Sequence, residues 1–131
     1  MNQIETAQEY KDQSIHYLEN VYNSLDAGDA EKAGEFLWGS LAEALKAVAA
    51  NEGRRLKAHW EIGDYAFELA KKRQDASIRE AYGHASYFHH GFYEAGLTVD
   101  DVRLRLDVVR EVIRKLLELI PEKESGQIWT K

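Results

Sequence analysis

Cysteine is absent from this 131-residue chain, which excludes disulfides, zinc–thiolate centres and thiol catalysis. Proline occurs once, at Pro121, so no proline breaks a helix before that point. No run of eighteen apolar residues occurs, and no segment reads as a membrane span. Basic charge is scarce: 17 Lys and Arg stand against 23 Asp and Glu, a net charge of −6. That sign argues against broad nonspecific duplex binding, which requires phosphate neutralisation. Two small basic clusters, Arg54, Arg55 and Lys57, then Lys71, Lys72 and Arg73, read as solvated helix ends. The N-terminal MNQIETAQEY lacks the basic and apolar regions of a secretory signal. These absences together point to a cytoplasmic protein.

Catalytic and cofactor motifs are missing as well. There is no GxxxxGK[ST], no GxGxxG and no HExxH. A di-iron bundle needs Glu-x-x-His twice, and none of the five histidines has a glutamate three residues before it. Glu80 with His84 and His90 with Glu94 have i, i+4 spacing, but such pairs are common on helix surfaces. The sequence implies no metal and no cofactor.

What is present is helical periodicity. A first helix is expected over residues 4–25, with Ala7, Ser14, Leu18, Val21 and Leu25 on one face. Gly28 ends it and Asp29 caps the next, which covers 30–50 with Leu37, Leu41, Ala44 and Val48 inward. Trp38 and Leu45 widen that face. Ala33, Gly34, Gly39, Ala42 and Ala49 are small enough to let a neighbour approach closely. A third helix spans 59–73 on Trp60, Ile62, Ala66 and Leu69. A fourth, capped by Asp75 or Ser77, runs over 78–97. Thr98 and Asp101 form a variant capping box for the fifth, where Val102, Leu106, Val109, Ile113, Leu116 and Ile120 keep heptad spacing. Leu104, Val108, Val112, Leu117 and Leu119 add apolar area beyond that stripe. Residues 1–121 thus read as one all-α domain, an antiparallel bundle of about five helices. Residues 122–131 read as a polar tail carrying Trp129.

The segment 78–97, IREAYGHASYFHHGFYEAGL, is unusual. Ile78, Ala81, Ala85, Phe88, Phe92 and Ala95 make one apolar stripe at about 100° per residue. Arg79, Tyr82, Ser86, His90 and Tyr93 make a second stripe, where a surface helix would show Lys and Glu. Hydrogen-bonding aromatics with a histidine and an arginine suit a contact face, here that of a homodimer. His16 reads as ordinary surface, His59 as packing or capping at the start of its helix, and Trp38 and Trp60 as core or helix-crossing residues.

Five helices, a first pair joined by LDAGD, and the stretch AGEFLWGSLAEALKAVAA resemble the HEPN class of helical bundles, most closely its archaeal PaREP-type branch. The residues concerned are Trp38, Gly39 and Ser40, then Ala44, Leu45, Lys46 and Ala47. His89 near Phe92, Tyr93 and Glu94, and His59 beside Trp60, complete the resemblance. It covers residues 4–120.

The resemblance implies a homodimer that binds RNA, a nucleotide or a partner protein such as a nucleotidyltransferase-like chain. It also implies an activity, metal-independent RNA cleavage by an Arg and a His with four to six residues between them. Arg54 with His59 and Arg79 with His84 have that spacing, and only the second lies on a late helix. Arg79 and His84, however, are about 140° apart on an ideal helix, whereas His90 shares the face of Arg79. Both histidines are therefore carried forward. In such a reaction the imidazole takes the 2′-hydroxyl proton and Arg79 stabilises the phosphorane. Tyr82 or Tyr93 would stack a base. The expected contact face comprises Tyr82, Ser86, His89, Tyr93 and Glu94. A non-catalytic binding or assembly role is the principal expectation, and an endoribonuclease the alternative.

Overall fold

A computed structural model describes residues 3–89 and 96–121, with side chains from residue 6 onward. Five helices follow in order: α1 Gln3–Asp26, α2 Ala30–Asn51, α3 His59–Arg73, α4 Ala76–Tyr87 and α5 Val99–Leu117. No strand occurs among the described residues. The expected all-α bundle is the observed one.

The helix ends follow from local chemistry. Gly28 takes φ +77°, which a side chain would oppose, and Asp29 then accepts from the Lys32 N–H at 3.1 Å. Gly53 takes φ +83° after α2. Ala58 has no capping side chain, so Glu61 reaches back and accepts from the Lys57 and Ala58 N–H groups at 2.9 and 2.7 Å. Asp75 caps α4, accepting from the Ser77 N–H at 3.0 Å. Thr98 and Asp101 satisfy each other's backbone N–H at the start of α5, at 3.0 and 3.1 Å.

The pairs α1–α2 and α4–α5 each run antiparallel. Ser14 faces Ser40, while Tyr17, further along α1, lies against Gly39 and Phe36, earlier on α2. The serines form a reciprocal lock: each hydroxyl donates to the other's carbonyl, at 2.7 and 2.8 Å, and both side chains are fully buried. Such mutual satisfaction removes the desolvation penalty an orphaned hydroxyl would carry. Between α4 and α5, His84 meets Arg105 whereas the earlier Asp75 meets the later Lys115. The core is drawn from all five helices, with Leu18, Leu37, Leu41, Leu45, Ile62, Tyr65, Phe88, Val102, Ile113 and Leu116 essentially sealed from solvent.

Two sequence expectations need correction. The fourth helix ends at Tyr87 rather than running to 97. Its last turn tightens, with Phe88 N–H donating to Ala85 O and His89 N–H to Ser86 O at 3.1 and 2.9 Å. That turn carries the Phe88 ring onto α2. Trp60 is not core: it stands 69% exposed. It lies two residues before Ile62, about 200° around the helix, so α3 turns it outward and buries Tyr65 instead. Leu104, expected beyond the buried stripe of α5, is indeed 79% exposed. The expected residues Phe92, Ala95 and Trp129 lie outside the described residues.

Two of the small residues on α2 do accept close neighbours, and these are rings. A Cβ on Gly39 would lie 3.0 Å from the Tyr17 ring, and one on Gly34 would lie 2.9 Å from the buried Phe88 ring. Gly34→Ala is therefore expected to destabilise the fold by about 1–3 kcal/mol through overpacking. Gly83→Ala, with nothing within 4 Å of the added carbon, should stabilise α4 by about 0.5–1 kcal/mol. Urea unfolding of the two variants beside the parent checks both signs.

Candidate functional site

The polar aromatic chemistry of the chain converges on Trp38. This residue sits one turn beyond Gly34 on α2 and is almost fully buried. His89, directly after the ring seated on Gly34, stacks on it with centroids 5.0 Å apart and planes at 21°. His59, the first residue of α3, meets Trp38 edge-on at 6.0 Å, and Tyr82 of α4 does so at 5.6 Å. The two histidines also meet each other: His89 Nε2 and His59 Nδ1 are 3.2 Å apart. On the other side of His89, Nδ1 is 3.7 Å from Glu35 Oε1. Glu35 precedes Trp38 by three residues, so both serve the same side of α2.

Tyr82 is held from both sides. Phe67 packs edge-on against it at 6.0 Å. Its hydroxyl lies where a Cβ on Gly63 would be, at 2.8 Å, so glycine is needed there for α3 and α4 to approach. Burial, with a smaller contribution from the Asp64 carboxylate, pushes the phenol pKa up. The hydroxyl therefore stays protonated at neutral pH.

The residues expected to act together are held by different neighbours. Arg79 is exposed in a concavity between α3 and α4, beside Phe67, Lys71, Gln74 and Asp75. His84 turns toward α5, where Arg105 Nη1 lies 2.9 Å from its Nδ1. Arginine has no acceptor, so Arg105 donates and Nδ1 of His84 accepts. The Arg105 guanidinium also lies 4.0 Å above the Tyr87 ring. Ser86 is half-buried and donates to the Gly83 carbonyl at 3.3 Å. Tyr82, expected on an outward contact stripe, is half-buried instead because α3 packs on that side of α4. His90, Tyr93 and Glu94 lie outside the described residues.

Sequence reasoning placed Trp38 in the core and His59 at a helix start, but did not bring them together with His89. Glu35 and Arg105 were missed altogether, since each looks like an ordinary surface charge. A faint signal existed, because Gly34, Trp38 and the second small residue Ala42 share one face at i, i+4, i+8. No three His, Asp or Glu side chains among the described residues are grouped to hold a metal ion. No helix among them is long and apolar enough to cross a membrane.

The model of the archaeal PaREP1/PaREP8 family matches residues 9–113. The chain belongs to this family. No curated protein and no solved structure matches it. The matched region takes in the whole Trp38, His59, Tyr82 and His89 cluster, along with Arg79, His84 and Arg105.

The start of α4, which sets the position of Arg79 in this PaREP1/PaREP8 protein, is held by charge. Asp75 accepts from Lys115 Nζ at 2.8 Å and from Ser77, and these bonds depress its carboxyl to about 2. A depressed carboxyl contributes stability that is present above its ordinary pKa near 4 and is lost as pH falls from about 4 to 2. Glu52 and Asp101 are shifted in the same direction, by hydrogen bonds from Tyr65 and from Thr98 respectively. Asp75→Asn keeps a capping side chain and removes the ion pair. It should cost about 0.5–1 kcal/mol at pH 7, given solvent screening. Thermal melts from pH 7 down to pH 2 should show this difference shrinking below pH 4 and nearly gone at pH 2.

Proposed function

We propose that this protein is a homodimeric, HEPN-like helical module with a non-catalytic binding or assembly role, and that the outer side of α3 and α4 is its contact face. One observation carries the reading. Trp60 and Phe67, two turns apart on the same side of α3, are 69% and 50% exposed in the single chain. Arg79 stands beside Phe67. Exposed aromatics with an arginine are the residues that protein interfaces bury at their centres. A second copy is the occupant that supplies the same residues in return, as an isologous interface requires. The HEPN resemblance adds RNA, a nucleotide or a nucleotidyltransferase-like protein as what the dimer would engage. The acidic balance of the chain favours a protein or a small ligand over long nucleic acid.

A second reading, a metal-independent endoribonuclease, has one observation in its favour: His84 does have an arginine at hydrogen-bonding distance. That arginine is Arg105 and not Arg79. Its donation to Nδ1 also places the proton of a neutral His84 on Nε2. The free nitrogen then donates to a ligand oxygen rather than taking a 2′-hydroxyl proton, which is the opposite of what a general base needs. The binding reading therefore fits His84 better than the catalytic one.

Light scattering at tens of micromolar is expected to give the mass of a dimer. Trp60→Glu combined with Phe67→Glu should give a folded monomer. A monomeric parent would remove the proposal. A separate assay of RNA cleavage in EDTA compares the parent with Arg79→Ala, Arg105→Ala, His84→Ala and His90→Ala. Equal background in all five is expected, and cleavage lost with one histidine would establish the enzyme instead.

A further inference from the structure

We propose that His59 and His89 form a two-imidazole site for a borderline first-row divalent cation of the zinc class, bound between His59 Nδ1 and His89 Nε2. The proposal is independent of the dimer, since both ligands belong to one chain.

Three features of the cluster support it. The first is separation. Two nitrogens bound to one tetrahedral zinc at about 2.0–2.1 Å lie about 3.3 Å apart, and these two are 3.2 Å apart.

The second is the carboxylate behind His89. Metal-bound histidines commonly give their other N–H to a carboxylate, which fixes the tautomer and raises ligand basicity. Glu35 Oε1 stands 3.7 Å from His89 Nδ1 on the side away from His59, too far for a hydrogen bond but close enough to add negative charge behind the ring. Without a metal, the two facing nitrogens share a hydrogen bond, one ring donating its N–H to the other. A divalent cation would displace that proton and take both lone pairs.

The third is rigidity. The two rings come from different elements, the first turn of α3 and the turn after α4. Both are held by one buried indole, stacked at 5.0 Å for His89 and edge-on at 6.0 Å for His59. Their approach needs little ordering when the ion arrives.

Imidazole donors select zinc, copper or nickel over magnesium and calcium. Two protein ligands leave coordination positions for water or an anionic oxygen, so the bound ion would present an open Lewis-acid position. The intrahelical pairs considered from the sequence, Glu80 with His84 and His90 with Glu94, play no part in it.

The test uses tag-free full-length protein stripped with EDTA and titrated with Zn2+ by calorimetry, with Mg2+ as a control. One equivalent of zinc per chain is expected. His59→Ala and His89→Ala should each lose that equivalent, and Glu35→Gln should weaken it about tenfold. His16→Ala and His84→Ala should leave it unchanged. His59 is exposed, so its variant keeps the fold, which circular dichroism verifies, and it suffices alone if His89→Ala does not fold. Cu2+ electron paramagnetic resonance gives an independent readout: coupling to two imidazole nitrogens in the parent and to one in His59→Ala. Absence of zinc uptake by the parent, or uptake and copper coupling unchanged in His59→Ala, overturns the proposal and leaves a plain hydrogen bond between the two rings.

Discussion

The Phe88 ring lies on the bare backbone of Gly34, and the position of everything around Trp38 depends on that contact. A side chain at residue 34 would occupy the volume of the ring. With glycine there, the end of α4 comes down onto α2 within van der Waals distance. The helix has to tighten to make this approach, and its last two hydrogen bonds span three residues instead of four. The next residue, His89, then lies one turn further along α2, on the face of Trp38. Packing and chemistry are adjacent in sequence here, since one residue supplies the apolar anchor and the next the imidazole. Gly63 plays the same part for Tyr82, so two glycines on two helices fix two sides of the cluster.

The remaining helices hold this arrangement in register. The Ser14 and Ser40 lock sets α1 against α2 at a single depth, because sliding by one turn would bury two unsatisfied hydroxyls. Lys11, itself buried, donates to the Ile120 carbonyl at 3.3 Å and so ties α1 to the end of α5. At the other end of α5, Arg105 reaches His84 and Tyr87. The last two turns of α4 are thus clamped between α2 and α5.

Much of the fold was legible in the sequence because amphipathic periodicity and caps report on local forces. Asp29, Thr98 with Asp101, and Gly28 marked helix ends correctly, as these residues satisfy backbone groups within their own turn. The end of α4 was not legible. Its apolar stripe continues in sequence past Phe88, and the turn there seats Phe88 on a glycine more than fifty residues earlier, a contact with no local signature. Trp60 failed for a related reason: its size suggested burial, while its angular position on α3 put it in solvent. The candidate site was legible in its parts only. Periodicity reports which face a residue occupies, not which residue of another helix shares that place. His59 with His89, and Arg105 with His84, are long-range pairs and carry no local signature.

The two histidine environments also differ in what they can do, and the difference follows from their partners. His84 faces a group that can only donate, so Nδ1 must accept and its other nitrogen becomes a donor. His89 has no such donor: its Nε2 lies 3.2 Å from His59 Nδ1 and its Nδ1 stands 3.7 Å from the Glu35 carboxylate. One imidazole is therefore held by a cationic side chain, and the other sits beside a carboxylate and a second imidazole. Arginine and glutamate, drawn from α5 and α2, place opposite charges beside two residues only five positions apart. The first setting favours an anionic oxygen on the free nitrogen of His84, and the second favours a cation near His89.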